Sequence, residues 1–315
     1  MHIGMGLVCG SKIKDLVRAG FDFTIFLADW HSLINNKLGG IMENIRLCGE
    51  YFKECFKAMG IPPSVKYLWA SELTGSADYW MTVVKIAKTA SLQRVKRALP
   101  IMGRSADLPD VEAAAVLYPC MQAADIFQLG LDLACAGIDQ RKAHMLARDA
   151  AEKLDLHKPT CLHIPLLMGL QGRGEDQRMD EDQERSMQIS SKMSKSIPGS
   201  AIFVHDPPQN IKEKVLKAYC PPKVTANNPI TEIARYVLFP ELGALDVERP
   251  EKFGGRMVFE SAEELEAAYS EGQLHPLDLK NAVAEGLSKL TKPVRDHFEK
   301  KPELLKKMLD LEVTR

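Results

Sequence analysis

Ser190-Ser191-Lys192-Met193-Ser194-Lys195-Ser196 sets two ammonium groups three residues apart in a run of small hydroxyl residues. Lysines at that spacing can face one anionic group. Ser194 and Ser196 add hydroxyls and Gly199 adds backbone freedom, so the loop can close over a phosphate chain and reopen. The same spacing also suits an ordinary solvated surface segment. Near the other end, His2-Ile3-Gly4-Met5-Gly6 opens an amphipathic helix running to about residue 18. The free N–H groups and positive dipole end of such a helix favour phosphate. A third set lies in the almost wholly apolar run 111–129, where Tyr118, Gln122 and Asp125 follow at spacings of four and three and so share one helical face. A carboxylate in apolar surroundings is costly without a partner. Asp125 therefore either caps or pairs with a neighbouring helix, or lines a pocket for a small polar ligand.

The elements that must position these groups alternate along the chain. Residues 7–18 present Leu7, Ile13, Leu16 and Val17 to a core and stop at Gly20. Residues 23–28 read as a buried parallel strand ending at Asp29-Trp30-His31, polar groups at the strand's carboxyl end, where open α/β sheets bind ligands. A helix over 41–59, a strand over 64–69, a long helix over 77–98, the helix 111–129 and a strand over 131–136 follow. Gly137 permits a close turn, and Gln140 sits in the first turn of a helix reaching about residue 153. A buried segment 162–170, a polar insertion 171–188, the lysine loop 190–199 and a short strand 201–204 complete this part. Asp206-Pro207-Pro208 marks a boundary, beyond which only helices are expected, at 211–218, 230–237, 262–269 and 276–289. The pattern predicts an α/β fold: a doubly wound, Rossmann-like parallel sheet over 1–206, then an all-helical domain over 207–315.

Composition narrows the classes. The 315 residues are 45% hydrophobic and 26% charged, with a formal net charge of −1. Such a chain exerts no global pull on nucleic acid, so RNA binding must rest on local basic patches such as 85–96 or 300–307. Seven cysteines are scattered among apolar residues without metal-ligand spacing and read as reduced thiols; no metal site is expected. No apolar run reaches the ~20 residues of a membrane span. A cytoplasmic protein with no membrane partner is expected.

The lysine loop and the histidine segment together resemble the paired nucleotide signatures of class I aminoacyl-tRNA synthetases, usually written HIGH and KMSKS. Lys192–Ser196 matches the second letter for letter, while Met5 stands where the first has its second histidine. Tyr118-Pro-Cys-Met-Gln122-Ala-Ala-Asp125-Ile and Gly137-Ile-Asp-Gln140-Arg141-Lys142-Ala-His144-Met-Leu-Ala-Arg148 look like tyrosyl-tRNA synthetases of the archaeal and eukaryotic type. The resemblance implies a tyrosine–tRNA ligase, with ATP as substrate, Mg²⁺ accompanying ATP, tRNA(Tyr) as partner and a homodimeric assembly. It implies that His2 and Gly4, with Lys192 and Lys195, are catalytic, and that Gly6, Met193, Ser194 and Ser196 join them around ATP. Tyr118, Gln122 and Gln140 would orient the amino acid's ammonium group, and Asp125 would accept from its phenol. Arg141 and Lys142 would reach toward the tRNA acceptor end. Arg249-Pro-Glu-Lys-Phe253-Gly-Gly and Leu274-His275-Pro276-Leu277-Asp278 resemble the family's anticodon-binding domain. There Phe253 and His275 would stack on the first anticodon base and Asp278 would bond its edge, although Asp278 also suits a first-turn carboxylate.

The likeness begins late. In the family a first strand and a glycine turn precede the histidine motif, so the natural product is expected to extend upstream. The rival readings are a tryptophanyl-tRNA synthetase, whose indole N–H can also donate to Asp125, and a non-catalytic paralogue that binds tRNA or a partner protein.

Overall fold

Short strand-sized runs pair in parallel, as the alternation of strand and helix predicts. The computed structural model describes residues 1–103, 112–172, 189, 191–193 and 199–313. Thr24–Leu27 (β1) lies beside Lys66–Trp69 (β2), with Leu27 opposite Trp69. Leu133–Gly137 (β3) lies beside Thr160–Ile164 (β4), with Gly137 opposite Ile164. Among the described residues each ladder has two strands, small parallel sheets in keeping with the expected α/β, Rossmann-like fold.

The described residues gather into two units. The first takes Met1–Ala19, Cys55–Pro62 and Pro165–Pro302, and the second takes Gly20–Glu54, Pro63–Ile164 and the residues from Glu303 onward. In the second unit, helices Ala77–Thr89, Ala113–Gln128 and Arg141–Leu154 bury Tyr79, Val83, Ile86, Met121, Ala124 and Leu146 in one core. Buried alanines on the second and third of these helices, among them Ala123, Ala124, Ala147 and Ala150, let them approach closely. Gly49 is needed for another close approach: a Cβ there would meet the Trp69 ring at 2.2 Å.

Several expected elements differ in detail. The helix expected over 77–98 is two, Ala77–Thr89 and Leu92–Lys96. Ser91 breaks it, because its hydroxyl accepts the Arg94 N–H at 3.2 Å and starts a new helix. The segment expected as a strand over 201–204 makes only an isolated antiparallel bridge, Phe203 to His2. Past Pro207 the chain is not wholly helical: Leu245–Val247 (β5) and Met257–Phe259 (β6) form an antiparallel ladder. The helix from Pro276 continues to Lys300 across Pro293. Strand-sized signals of three residues fall below what alternation can reveal.

Candidate active site

The helix Ala113–Gln128 carries Tyr118, Gln122 and Asp125 on one face, as their spacing requires. Asp125 is 5% exposed. Its Oδ1 accepts the Tyr79 hydroxyl at 2.8 Å, and His31 Nε2 lies 3.1 Å from Oδ2 but off the line of a hydrogen bond. Burial, then the Asp125 charge, pushes the Tyr79 phenol well above its ordinary value, so it stays a donor. Tyr118 is pushed up to about 12, by burial first and then by Asp125 and Asp139. Its ring meets the His31 ring edge-on, with centroids 5.0 Å apart.

Gln122 and Gln140 meet directly. The Gln122 amide N–H donates to Gln140 Oε1 at 3.1 Å, and the Gln140 amide N–H donates to the Ile101 carbonyl at 3.2 Å. These bonds leave Gln122 Oε1 buried without a hydrogen-bond donor. A buried acceptor of that kind calls for a donor from elsewhere, and an ammonium group supplies one. Asp29, 1% exposed, closes the strand ends of the same unit: its Oδ1 accepts the N–H groups of Trp30 and Ser71 at 2.9 and 3.0 Å, and Arg46 Nε stands 3.6 Å from Oδ2. The helix that follows Gln140 is tied to β4 through His144 Nδ1 and His163 Nε2, 3.1 Å apart. Burial, with His163 beside it, lowers His144 to about 4, so both rings share this bond as neutral imidazoles. Arg141 and Lys142 point to solvent at the start of that helix.

In the first unit, His2 sits just before the helical turn Gly4–Val8, which leads into Cys9–Arg18. Its carbonyl accepts the N–H groups of Met5 and Gly6, and its ring Nδ1 lies 3.4 Å from the Met5 N–H. A Cβ on Gly4 would stand 3.1 Å from that ring, and one on Gly6 would stand 2.7 Å from Val204. Gly6 is thus required by close approach, while a side chain at Gly4 would press on the His2 ring. Lys192 pairs with Met168 in an isolated bridge, and buried Met193 donates its N–H to the Leu167 carbonyl at 2.7 Å. Ser194, Lys195 and Ser196 lie outside the described residues, as does 173–188 of the polar insertion.

Phe253 is 60% exposed, with Lys252 Nζ 4.9 Å from its ring centroid. The Arg249 guanidinium donates to the carbonyls of Gly255 and Gln273 at 3.0 and 2.8 Å, drawing the Phe253 turn toward the approach to His275. The exposed His275 ring already accepts the Leu277 N–H at 3.1 Å and so caps its helix, with Asp278 half-buried in the first turn. Asp278 thus stands where a first-turn carboxylate stabilises its helix.

Sequence reasoning placed Tyr118, Gln122, Asp125 and Gln140 together and missed Tyr79. It noted His31 at a strand end without linking it to Asp125. Tyr79 lies 46 residues upstream of Asp125 in another helix. Its only sequence signal is a phenol on an otherwise aliphatic face, with Val83 and Ile86. Two surface hollows lie elsewhere, one along 89–94 and 146–153 and one along 170–171 and 210–218. Neither includes Asp125, and ion pairs such as Arg94–Asp149 already occupy the former.

Comparison with known proteins gives the family. The family described as tRNA synthetases class I (W and Y) matches residues 1–177 and 185–292. A tyrosine–tRNA ligase of Aeropyrum pernix is 50% identical over 298 residues, covering 93% of this chain and 81% of that protein. That of Thermococcus onnurineus is 46% identical over 331 residues, covering all of this chain and 88% of that protein. The crystal structure of a Pyrococcus horikoshii tyrosyl-tRNA synthetase complexed with L-tyrosine superposes with a TM-score of 0.91 at 42% identity, covering 98% of this chain and 88% of that one.

Proposed function

The chain belongs to the class I tRNA synthetases of the tryptophan and tyrosine group, and from that premise we propose which of its residues carry out tyrosine–tRNA ligation. The reaction is ATP-dependent. A carboxylate oxygen of tyrosine attacks the α-phosphorus of ATP, pyrophosphate leaves, and the acyl group of tyrosyl-adenylate then passes to a ribose hydroxyl of the tRNA 3′-terminal adenosine as AMP departs.

Asp125 carries the selectivity in this reading. A phenol hydroxyl entering the pocket donates to a carboxylate that already holds Tyr79 on one oxygen, with His31 beside the other. A carboxylate has about four acceptor directions, so a further donor is accommodated without displacing the first. Phenylalanine offers no donor, and sites of this type reject it by roughly 10⁴–10⁵, a general figure for tyrosine-selecting synthetases rather than one derived from these distances. Gln122 Oε1, buried and lacking a donor, accepts from the ammonium group, with Tyr118 and Gln140 beside it.

His2, Gly4, Gly6 and the helix start beyond them, with Lys192, Met193, Ser194, Lys195 and Ser196, serve ATP. Their contribution is positioning and charge, because phosphoryl displacement needs little else from a protein. Mg²⁺ arrives with ATP as part of the substrate. Arg141 and Lys142 approach the tRNA acceptor end, and Phe253, His275 and Asp278 read the anticodon. The functional boundary is placed at Asp206, with catalysis over 1–206 and tRNA reading over 207–315. The enzyme is placed in the cytoplasm as a homodimer that tRNA bridges. Among the described residues, no helix is long and apolar enough to cross a membrane.

The observation that carries this reading is Asp125, buried and held by Tyr79 on the face shared with Tyr118 and Gln122. Amino-acid-dependent ATP–pyrophosphate exchange tests it. Exchange with tyrosine, and not with tryptophan or phenylalanine, is expected. Exchange with tryptophan reassigns the substrate, and exchange with none leaves a tRNA-binding paralogue.

A further inference from the structure

The first unit holds a buried carboxylate to which the reading above gives no chemical role. Asp206 is 6% exposed. Its Oδ2 accepts the Phe203 N–H at 2.8 Å and the Lys214 ammonium at 2.6 Å, while its backbone carbonyl accepts Arg295 Nη1 at 3.4 Å. Lys214 also stands over the Phe203 ring, 5.0 Å from its centroid. Lys214 belongs to helix Pro208–Lys217 and Arg295 to helix Pro276–Lys300. On the latter, Arg295 is fixed by Thr291 Oγ1 at 2.6 Å and the Ser288 carbonyl at 2.7 Å.

What Asp206 holds in place is the partner of the histidine segment. Phe203 is bridged to His2, the Ile3 N–H donates to the Ile202 carbonyl at 2.9 Å, and the Val204 N–H donates to the Met1 carbonyl at 3.0 Å. Ile3, Ile202 and Val204 are fully buried, and Gly6 rests against Val204. A displacement of residues 202–204 therefore moves His2, Gly4 and Gly6 with it. Closing the turn at 203–206 requires only the Asp206 N–H to the Phe203 carbonyl, at 3.0 Å, and the carboxylate on Phe203. It requires neither a lysine nor an arginine from two other helices, so their convergence has another use.

We infer that Asp206 is a positioning residue. It registers the turn carrying His2, Gly4 and Gly6 against the helices beyond Pro207, and its link to ATP rests on the function proposed above. Breaking a buried ion pair leaves a charge without its partner, and small displacements of a positioning element are felt strongly at the site it serves.

Asp206→Asn in the full chain keeps the size and the turn while removing the ion pair. The affinity for ATP is read twice, as KM in tyrosine-dependent pyrophosphate exchange and as the dissociation constant of Mg·ATP alone by calorimetry. Both are expected to rise about tenfold, with KM for tyrosine within about twofold of the parent, because the Asp125 pocket belongs to the other unit. Lys214→Met shifts the same quantities in the same direction by less, and Lys214→Arg restores them. Unchanged ATP affinity in folded Asp206→Asn protein, or an equal rise for ATP and tyrosine, overturns the inference. If Asp206→Asn does not fold, the Lys214→Met and Lys214→Arg pair decides by the same criteria. A parent chain without tyrosine-dependent exchange overturns the proposed function instead, and the calorimetric comparison still tests the positioning.

Discussion

Asp125 and Phe253, the two groups to which the proposed function gives recognition, differ in every physical respect. Asp125 is buried, charged and held before any substrate arrives, by Tyr79 on one oxygen with His31 beside the other. Phe253 is 60% exposed, apolar and bounded by glycines with positive φ at 254 and 255. In the proposed reading the buried group discriminates through the penalty of leaving it unsatisfied, whereas the exposed ring contributes by covering a base. Exactness of placement belongs to the first kind, and tolerance to the second.

The contrast is tested most severely at Asp125 itself. Asp125→Ala is expected to lower kcat/KM for tyrosine in pyrophosphate exchange by about 10³ or more and to collapse the preference over phenylalanine. If selectivity survives that change, preorganised charge is not the basis of the pocket. Acid comes next, through the frame that follows Gln140. His144 has its folded value near 4 against an ordinary 6.5, so the neutral ring favours the fold. That stability is complete above pH 6.5 and is lost as pH falls toward 4, by about 3 kcal/mol at most. Thermal unfolding of His144→Gln beside the parent across this window should show a flatter profile for the variant.

Smaller again is Tyr79→Phe, which strips one donor from a buried carboxylate. A loss of about 1.5–3 kcal/mol in chemical denaturation is expected, together with a higher KM for tyrosine. Phe253→Ala sharpens the other side: aminoacylation should weaken by about 1–3 kcal/mol through KM for tRNA while exchange stays level. The least effect is expected at His275, where the ring is also a helix cap. His275→Asn keeps an acceptor for the Leu277 N–H and should cost less than about 0.5 kcal/mol of stability, so any loss in aminoacylation reports base contact alone.

Much of the pocket was legible because helical spacing fixes direction. Tyr118, Gln122 and Asp125 share a face by arithmetic alone, and Gly137 before Gln140 marks a strand-to-helix turn. What supports Asp125 was not legible, since Tyr79 and His31 come from elements whose approach depends on packing between helices. The break at Ser91 was written in the sequence as a capping serine, but the apolar residues on either side keep the helical period and mask it. β5 and β6 are three residues each, too short for alternation to separate from a turn. The bridge from His2 to Phe203 spans a distance in sequence that no local pattern encodes.

That bridge also orders the birth of the molecule. Residues 1–4 can find residues 202–204 only after some two hundred further residues have been polymerised, about 10–40 s at ordinary translation rates. Most of the second unit, which includes Pro63–Ile164, lies wholly between those partners and can collapse on its own while the histidine segment waits. Ile3 is fully buried once docked and exposed to the solvent until then. The histidine segment is thus made well before residues 202–204 and docks only after them.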